Sequence, residues 1–294
     1  MFDIGASFDR EIVAHMTTRP TALFIEPEDS RVIEAALQLP RFCRPVFLTT
    51  REQVEAVIAR DLPHVDPARV AFLMSEAAFC ELDRCPELQE QLAGAVMELP
   101  DARRPCEDLE AARAFVATPA GFGIMAAHEG HCDMVVGGAR HEPRHFFRPL
   151  IKVMQREPVL CEAGIIVLPD EHPDDLYPHN ILVLGDVGVN ADMTPEVLAR
   201  TAVGTCAVAR DVIPSEELPE IHGVMVSYSN HGGDEGPSPR LVRGAADLLP
   251  RFLDERCQRG ARYCSINIES EVKINVALSR RSARLYKGEG DRGD

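Results

Sequence analysis

Ile221-His222-Gly223-Val224-Met225-Val226-Ser227-Tyr228-Ser229-Asn230-His231-Gly232-Gly233-Asp234-Glu235-Gly236-Pro237 is the stretch around which the rest of the chain reads. Ile221 to Val226 is short, β-branched and mostly apolar, so it reads as a buried parallel strand rather than a helix. Two hydroxyls and a tyrosine follow at its C-terminal end, and then three glycines within five residues. Pro237 opens a helix that runs toward Arg256. A strand, a polar Gly-rich turn and a helix N-terminus together can build an anion site from backbone N–H groups and the helix dipole. Ligands of open parallel sheets bind at the carboxyl ends of the strands. The same residues equally make a well-capped loop that binds nothing, and composition does not separate the two.

Outward from this stretch, strands and helices alternate. Thr21 to Ile25 reads as a strand, and Ser30 caps a helix from Arg31 to Leu39. Pro45 to Leu48 is a second strand, and Thr49 or Thr50 caps Arg51 to Arg60, with Glu52 in the first turn. Val70 to Met74 reads as a third strand, which completes a βαβαβ pattern. Helices follow at Cys85 to Leu99, Glu107 to Val116 and Gly121 to Gly130. Asp133 to Val136 is a strand that stops at Gly137-Gly138-Ala139. Arg140, His141, Arg144, His145 and Arg148 then form the most basic patch of the chain, again where a strand gives way to a helix. Gly164 to Leu168 and Asn180 to Leu184 read as strands, and Thr194 with Pro195 starts a helix to Arg210. Ser265 to Leu278 alternates at Val272, Ile274, Val276 and Leu278, the period of a strand.

Bulk properties exclude several function classes. The 294 residues suffice for a large core, and the formal net charge is -16. An acidic surface argues against nucleic acid or an anionic membrane as the main partner. An anionic substrate must therefore be met by a local cluster of arginines. The nine cysteines are odd in number and contain no C-x-x-C, which points to reduced thiols in a cytoplasmic protein. The N-terminus has no apolar segment of the signal-peptide kind, and no apolar run reaches membrane-span length. His141-Glu142-Pro143-Arg144-His145 matches H-E-x-x-H. Pro143 belongs in a first helical turn, however, so His141 falls in the preceding loop and off the helix face. No metal is assigned there.

Several segments, in order, resemble the phosphate acetyl/butyryltransferase family, including the related C-terminal domain of large NADP-malic enzymes. Ile25 to Ala36 resembles the family's first strand-to-helix signature. Phe122-Gly123 followed by Asp133 to Ala139 is similar to its central segment, and His141 and Arg148-Pro149 fall at its spacing. Asp186 to Glu196 resembles the D-x-x-x-N-x-x-P-T segment, with Thr194-Pro195 in reversed order. Met225 to Pro237 resembles the Ser-Tyr-Ser and Gly-rich loop, and Glu269 to Leu278 resembles the strand written D-G-E-x-x-x-D-x-A-L.

The resemblance implies an α/β fold, doubly wound and mostly parallel, in two subdomains with a cleft between them (isocitrate/isopropylmalate dehydrogenase-like). The expected division is 1–156 and 157–294. It implies acyl transfer between coenzyme A and phosphate, with coenzyme A as a substrate and no cofactor. Arg148 takes the phosphate-side role, His141 and Arg144 share its loop, and Ser227, Tyr228 and Ser229 line the cleft as binding residues. Soluble acyl-CoA and acyl phosphate are the expected partners, and a homodimer the expected association. This chain departs from the family at Glu142 and Pro143, where a Ser or Thr pair is usual, and the late Ser-Arg-Gly motif has no counterpart before Asp294. The alternative expectation is therefore a binding or regulatory module for acyl-CoA or a phosphate metabolite, or a shortened gene product.

Overall fold

Four consecutive residues, Thr21 to Phe24, decide the architecture, because both faces of the strand that they form are covered by helices. The computed structural model describes residues 4–140, 142–155, 157–169, 177–188, 190 and 192–286. The chain divides into two compact units, Ile12–Arg156 and Met1–Glu11 together with Glu157–Asp294. A helix, α1 (Ile4–His15), comes first.

The unit Ile12–Arg156 runs β1 (Thr21–Phe24), α2 (Ser30–Ala36), β2 (Arg44–Phe47), α3 (Arg51–Asp61), α4 (Pro67–Glu76), β3 (Ala78–Phe79), α5 (Pro86–Glu98), α6 (Leu109–Val116), α7 (Pro119–His128), β4 (Met134–Val136) and α8 (Pro143–Met154). Its four strands are parallel in the order β3-β2-β1-β4. Phe24 lies opposite Phe47 on one side and Val136 on the other. Side chains of a strand alternate between faces. Ala22 and Phe24 accordingly pack with Ile33, Val54 and Leu73 in one core. Leu23 and Ile25 pack with Leu92, Val116, Met125, Phe146 and Val153 in the other. Helical layers on both faces make the sheet doubly wound, as expected.

Local chemistry explains where elements start. Thr50 accepts from the Gln53 N–H at 3.2 Å while the Gln53 side chain reaches back to the Thr50 N–H at 3.4 Å, a reciprocal cap. Asp29 rather than Ser30 caps α2, its carboxylate accepting from the Arg31 N–H at 3.0 Å. Val70 to Met74 corrects the expected pattern, being part of the helix α4 and not a strand. Asp66 caps that helix through the Ala68 N–H at 2.9 Å, and Pro67 occupies its first position. A five-residue apolar run fits either element, and the capping pair decides for the helix. The third strand comes just after it, as Ala78–Phe79.

In the other unit, β5 (Ala163–Val167) and β6 (Ile181–Gly185) form an antiparallel pair. Next come α9 (Pro195–Val212), β7 (Ile221–Val226), α10 (Pro237–Ala246), α11 (Leu249–Cys257), β8 (Ile266–Val272), α12 (Ile274–Leu278) and α13 (Arg280–Tyr286), with β7 and β8 parallel. β7 is half-buried rather than buried throughout: Ile221 and Met225 point inward, whereas Val224 and Val226 are exposed. The helix expected to run unbroken from Pro237 to Arg256 is two. Pro250 lacks an N–H and its ring clashes with the carbonyl four residues back, at Ala246, which is where α10 ends. The alternation expected to continue to Leu278 stops at Val272, and Ile274–Leu278 is a helical turn. Cys257 and Cys264 form a disulfide with Cα atoms 4.7 Å apart, which corrects the all-thiol reading for these two. Among the described residues no helix is long and apolar enough to cross a membrane.

The Phe24 ring is fully buried, with its centroid 5.4 Å from that of Phe47. Phe24→Ala is expected to cost about 3–5 kcal/mol through lost transfer energy and the cavity left behind. Urea denaturation followed by circular dichroism checks this, and a midpoint within error of the parent would contradict the two-faced burial.

Candidate functional site

In the strand order β3-β2-β1-β4 the chain leaves β1 toward one side and β4 toward the other. Such a reversal parts the two following loops and leaves a crevice at the carboxyl ends of the strands. The loop after β1 holds Ile25 to Asp29, and the loop after β4 begins at Gly137. They are joined by Glu26, which is 0% exposed. Its carboxylate accepts from the Ala139 N–H at 2.7 Å and the Arg140 N–H at 2.9 Å. Two successive amides closing on one carboxylate form an anion-binding concavity, already filled from within. Gly137 permits the approach, because a Cβ there would collide with Ile25. Arg31 adds a second clasp, donating to Asp29 at 2.7 Å and to the Ala139 carbonyl at 3.1 Å. Its hydrogen bond is the main reason that the Asp29 carboxyl is pulled down to about 2.

The basic loop then enters α8. Pro143 stands at the first helical position with Glu142 before it. Arg140 lies 3.7 Å from Glu28, and Arg144 pairs with Glu142 at 2.7 Å. Phe146 turns inward into the core, and Arg148 is exposed. Arg148 makes no hydrogen bond or ion pair with any described residue. Pro149 follows inside the helix and has no N–H for the His145 carbonyl. His141 lies outside the described residues. Among the described residues no group of three or more His, Cys, Asp or Glu is placed to hold a metal ion.

The loop after β7 is closed on itself. Ser229 is 0% exposed; its hydroxyl donates to Glu271 at 2.7 Å and accepts from the Asp234 N–H at 2.9 Å. Ser227 is buried, and its hydroxyl accepts from the Ser229 N–H at 3.3 Å. The Gly233 N–H is taken by the Asn230 carbonyl at 2.9 Å. Arg243, from α10, donates to both Glu271 oxygens at 2.9 and 3.0 Å and to Glu235 at 2.8 Å. Glu271 is the extra residue of a bulge between β7 and β8, at φ 57, a left-handed conformation uncommon for a side chain of this kind. The hydrogen bond from Arg243, then that from Ser229, holds its carboxyl near 2. The α10 N-terminus is a poor anion site, because Pro237 and Pro239 lack the N–H groups that such a site uses.

Of the three residues expected to line this loop, only Tyr228 presents its side chain, at 52% exposure. Its hydroxyl donates to the Glu235 carbonyl at 3.1 Å. Gly236, at φ 155, lets the ring lie there, since a Cβ would collide with the Tyr228 hydroxyl. Ser227 and Ser229 build the loop instead of facing outward. Glu26, Glu271 and Arg243 had not been singled out. The signal available was a glutamate at the end of each apolar strand, where a charge is too costly to bury without fixed donors.

A family model described as Phosphate acetyl/butaryl transferase matches residues 11–261. A phosphate acetyltransferase of Clostridium acetobutylicum is 26% identical over 178 residues, 60% of this chain and 51% of that protein. One from Synechocystis is 24% identical over 268 residues, 90% of this chain and 34% of that protein. The chain thus spans about half or less of the length of these relatives. A phosphotransacetylase structure from Staphylococcus aureus superposes with a TM-score of 0.70 at 18% identity, covering 97% of this chain and 78% of that chain. At that identity the likeness shows the fold alone.

Glu26→Gln sets an amide NH2 against one of the two backbone N–H groups and removes the charge. It is expected to destabilise the protein by about 1.5–3 kcal/mol, and to speed hydrogen exchange at Ala139 and Arg140. Unchanged exchange at both amides would refute the clasp. Glu271 titrates from an ordinary 4.5 in the unfolded chain to about 2 in the folded one. A lowered folded value gives stability that is present above the unfolded value and lost as pH falls toward the folded one. The stability difference between the parent and Glu271→Gln is therefore expected to be constant from pH 7 to 5 and to shrink between about 4.5 and 2. Thermal melts at matched ionic strength test this, and a pH-independent difference would rule it out.

Proposed function

The chain belongs to the phosphate acetyl/butaryl transferase family, and from that premise we propose that it moves an acetyl or butyryl group between coenzyme A and phosphate. The coenzyme A sulfur attacks the carbonyl carbon of an acyl phosphate. A C–S bond forms, the bond between the acyl carbon and the bridging oxygen breaks, and phosphate leaves with the electron pair and takes up the thiol proton. The protein has to hold a doubly charged phosphate and orient the two reactants. Arg148 is the observation that carries this reading: an exposed guanidinium, unpaired among the described residues, in a chain of net charge -16. Its planar fork suits two phosphate oxygens at once. Arg144 and His141 are assigned to the same phosphate, and Tyr228 to substrate binding. Ser227 and Ser229 act by shaping the loop that carries Tyr228.

The enzyme takes coenzyme A as a substrate and needs no cofactor in this reading. It works in the cytoplasm, as a homodimer. The finer fold group, isocitrate/isopropylmalate dehydrogenase-like, and the division into subdomains at residues 156 and 157 belong to the same proposal. A second reading, a binding or regulatory module, is favoured by one observation: the loop after β7 uses the N–H groups of Ser229, Gly233 and Asp234 within itself, and its Ser229 hydroxyl donates to Glu271.

Arg148→Ala is expected to raise KM for acetyl phosphate and to lower kcat/KM about 10- to 100-fold, the loss of one charge-assisted pair of hydrogen bonds. Arg148→Lys should recover part of it. Kinetics unchanged by both substitutions would remove Arg148 from the site. Calorimetric binding of coenzyme A by the parent with no acyl phosphate turnover would decide for the module.

A further inference from the structure

Residues of the segment from Glu157 to Cys161, of α9 and of α11 enclose a cavity in the second unit. It has a volume of about 100 Å3 and is open to the solvent, room for a small anion rather than for a drug-sized ligand. Its walls differ in character. Pro158, Val159, Val203 and Phe252 supply apolar surface, and Arg200, Arg256 and Arg259 supply three guanidinium groups. Two of these are already matched. Arg259 donates to both oxygens of Glu157 at 2.6 and 3.2 Å. Arg200 lies flat over the Phe252 ring at 4.0 Å, and pairs with Glu196 at 3.0 Å and Glu255 at 3.6 Å. Arg256 is not matched: it stacks over Tyr263 at 4.3 Å, its Nε is buried with no acceptor, and it pairs with no described carboxylate. The terminal nitrogens of Arg256 make no hydrogen bond or ion pair with any described residue, so an anion entering the cavity can supply the acceptors that this guanidinium lacks. Glu157, held down first by Arg259 and then by the fields of Arg256 and Arg200, marks where those three positive charges converge.

We propose that this cavity is a binding site for a small organic anion, a phosphate or carboxylate head on a short apolar body. The head sits against Arg256, and the body against Pro158, Val159 and Val203. The proposal does not use the acyl-transfer reading and stands if that reading fails.

The test titrates n-butyl phosphate, butyrate and inorganic phosphate into the Arg148→Ala protein, so that binding by way of Arg148 does not contribute. One equivalent of n-butyl phosphate or butyrate is expected to bind, at least about tenfold tighter than inorganic phosphate, since burying a four-carbon tail removes enough apolar surface from water. Tighter binding of n-butyl phosphate assigns a phosphate head, and tighter binding of butyrate a carboxylate head. Arg256→Gln and Val159→Phe, each in the same background, should weaken that binding at least tenfold. On the parent chain, the preferred ligand should protect Arg256 from phenylglyoxal, read by peptide mass spectrometry, which needs no variant to fold. Binding that survives Arg256→Gln and Val159→Phe, inorganic phosphate binding as tightly as both organic anions, or labelling of Arg256 unaffected by ligand would overturn the proposal.

Discussion

Two consecutive backbone amides, those of Ala139 and Arg140, close on the Glu26 carboxylate, and the open end of the doubly wound unit is set by that bond. The parallel order β3-β2-β1-β4 forces the loops after β1 and β4 apart. Left alone, the end of β4 would expose two unpaired amides at the mouth of a crevice. Glu26 satisfies both, and in doing so fixes where the chain turns toward α8. The position of Arg148 along that helix is therefore inherited from a residue at the end of β1. A neutral side chain could not replace it, because only an ionised carboxylate accepts at both oxygens with no hydrogen to place.

Glu271 solves the same problem at the end of β7, with the donors supplied by side chains. Arg243 and Ser229 meet its two oxygens, and the His231 N–H reaches its backbone carbonyl at 2.8 Å. The strain of a glutamate at φ 57 is tolerated because the bulge aims the carboxylate inward at these partners. Both loops look like anion cradles, and both are anion cradles whose anion belongs to the protein. A chain with 47 acidic and 31 basic residues has carboxylates to spend in this way.

Legibility of the sequence followed the range of the signal. Helix caps made of neighbouring residues, Thr50 before α3 and Thr194 with Pro195 before α9, were readable because the chemistry is local. β1, β2 and β4 were readable from apolar runs bounded by polar or glycine residues. Val70 to Met74 misled because five apolar residues carry no period, and it is the Asp66-Pro67 start ahead of them that makes the segment a helix. Val272 to Leu278 misled because its alternation is real in sequence, but the bulge at Glu271 redirects the strand. Ser227 and Ser229 read as binding residues by resemblance. The partners of the Ser229 hydroxyl, Glu271 and the Asp234 amide, are fixed only when β8 lies beside β7 and the chain turns at Gly232 and Gly233. Arg148 was found by resemblance; the residues alone made it an ordinary helix-surface arginine.

Charge also sets how the basic loop can work. A net charge of -16 repels a phosphate at long range, but salt screens that field beyond about 8 Å, so capture is decided by the nearest groups. Arg31, Arg140 and Arg144 each face a carboxylate, Asp29, Glu28 and Glu142. They are not equally committed. The Arg31 guanidinium is held by three hydrogen bonds inside the loop clasp, whereas Arg144 and Glu142 are both well exposed. An exposed ion pair is worth about 0–1 kcal/mol, so in the proposed reading a dianionic phosphate takes Arg144 from Glu142 at small cost. In the proposed reading Glu142 therefore weakens the loop's pull on phosphate without closing it, and Arg148, unpaired among the described residues, is the charge open from the start.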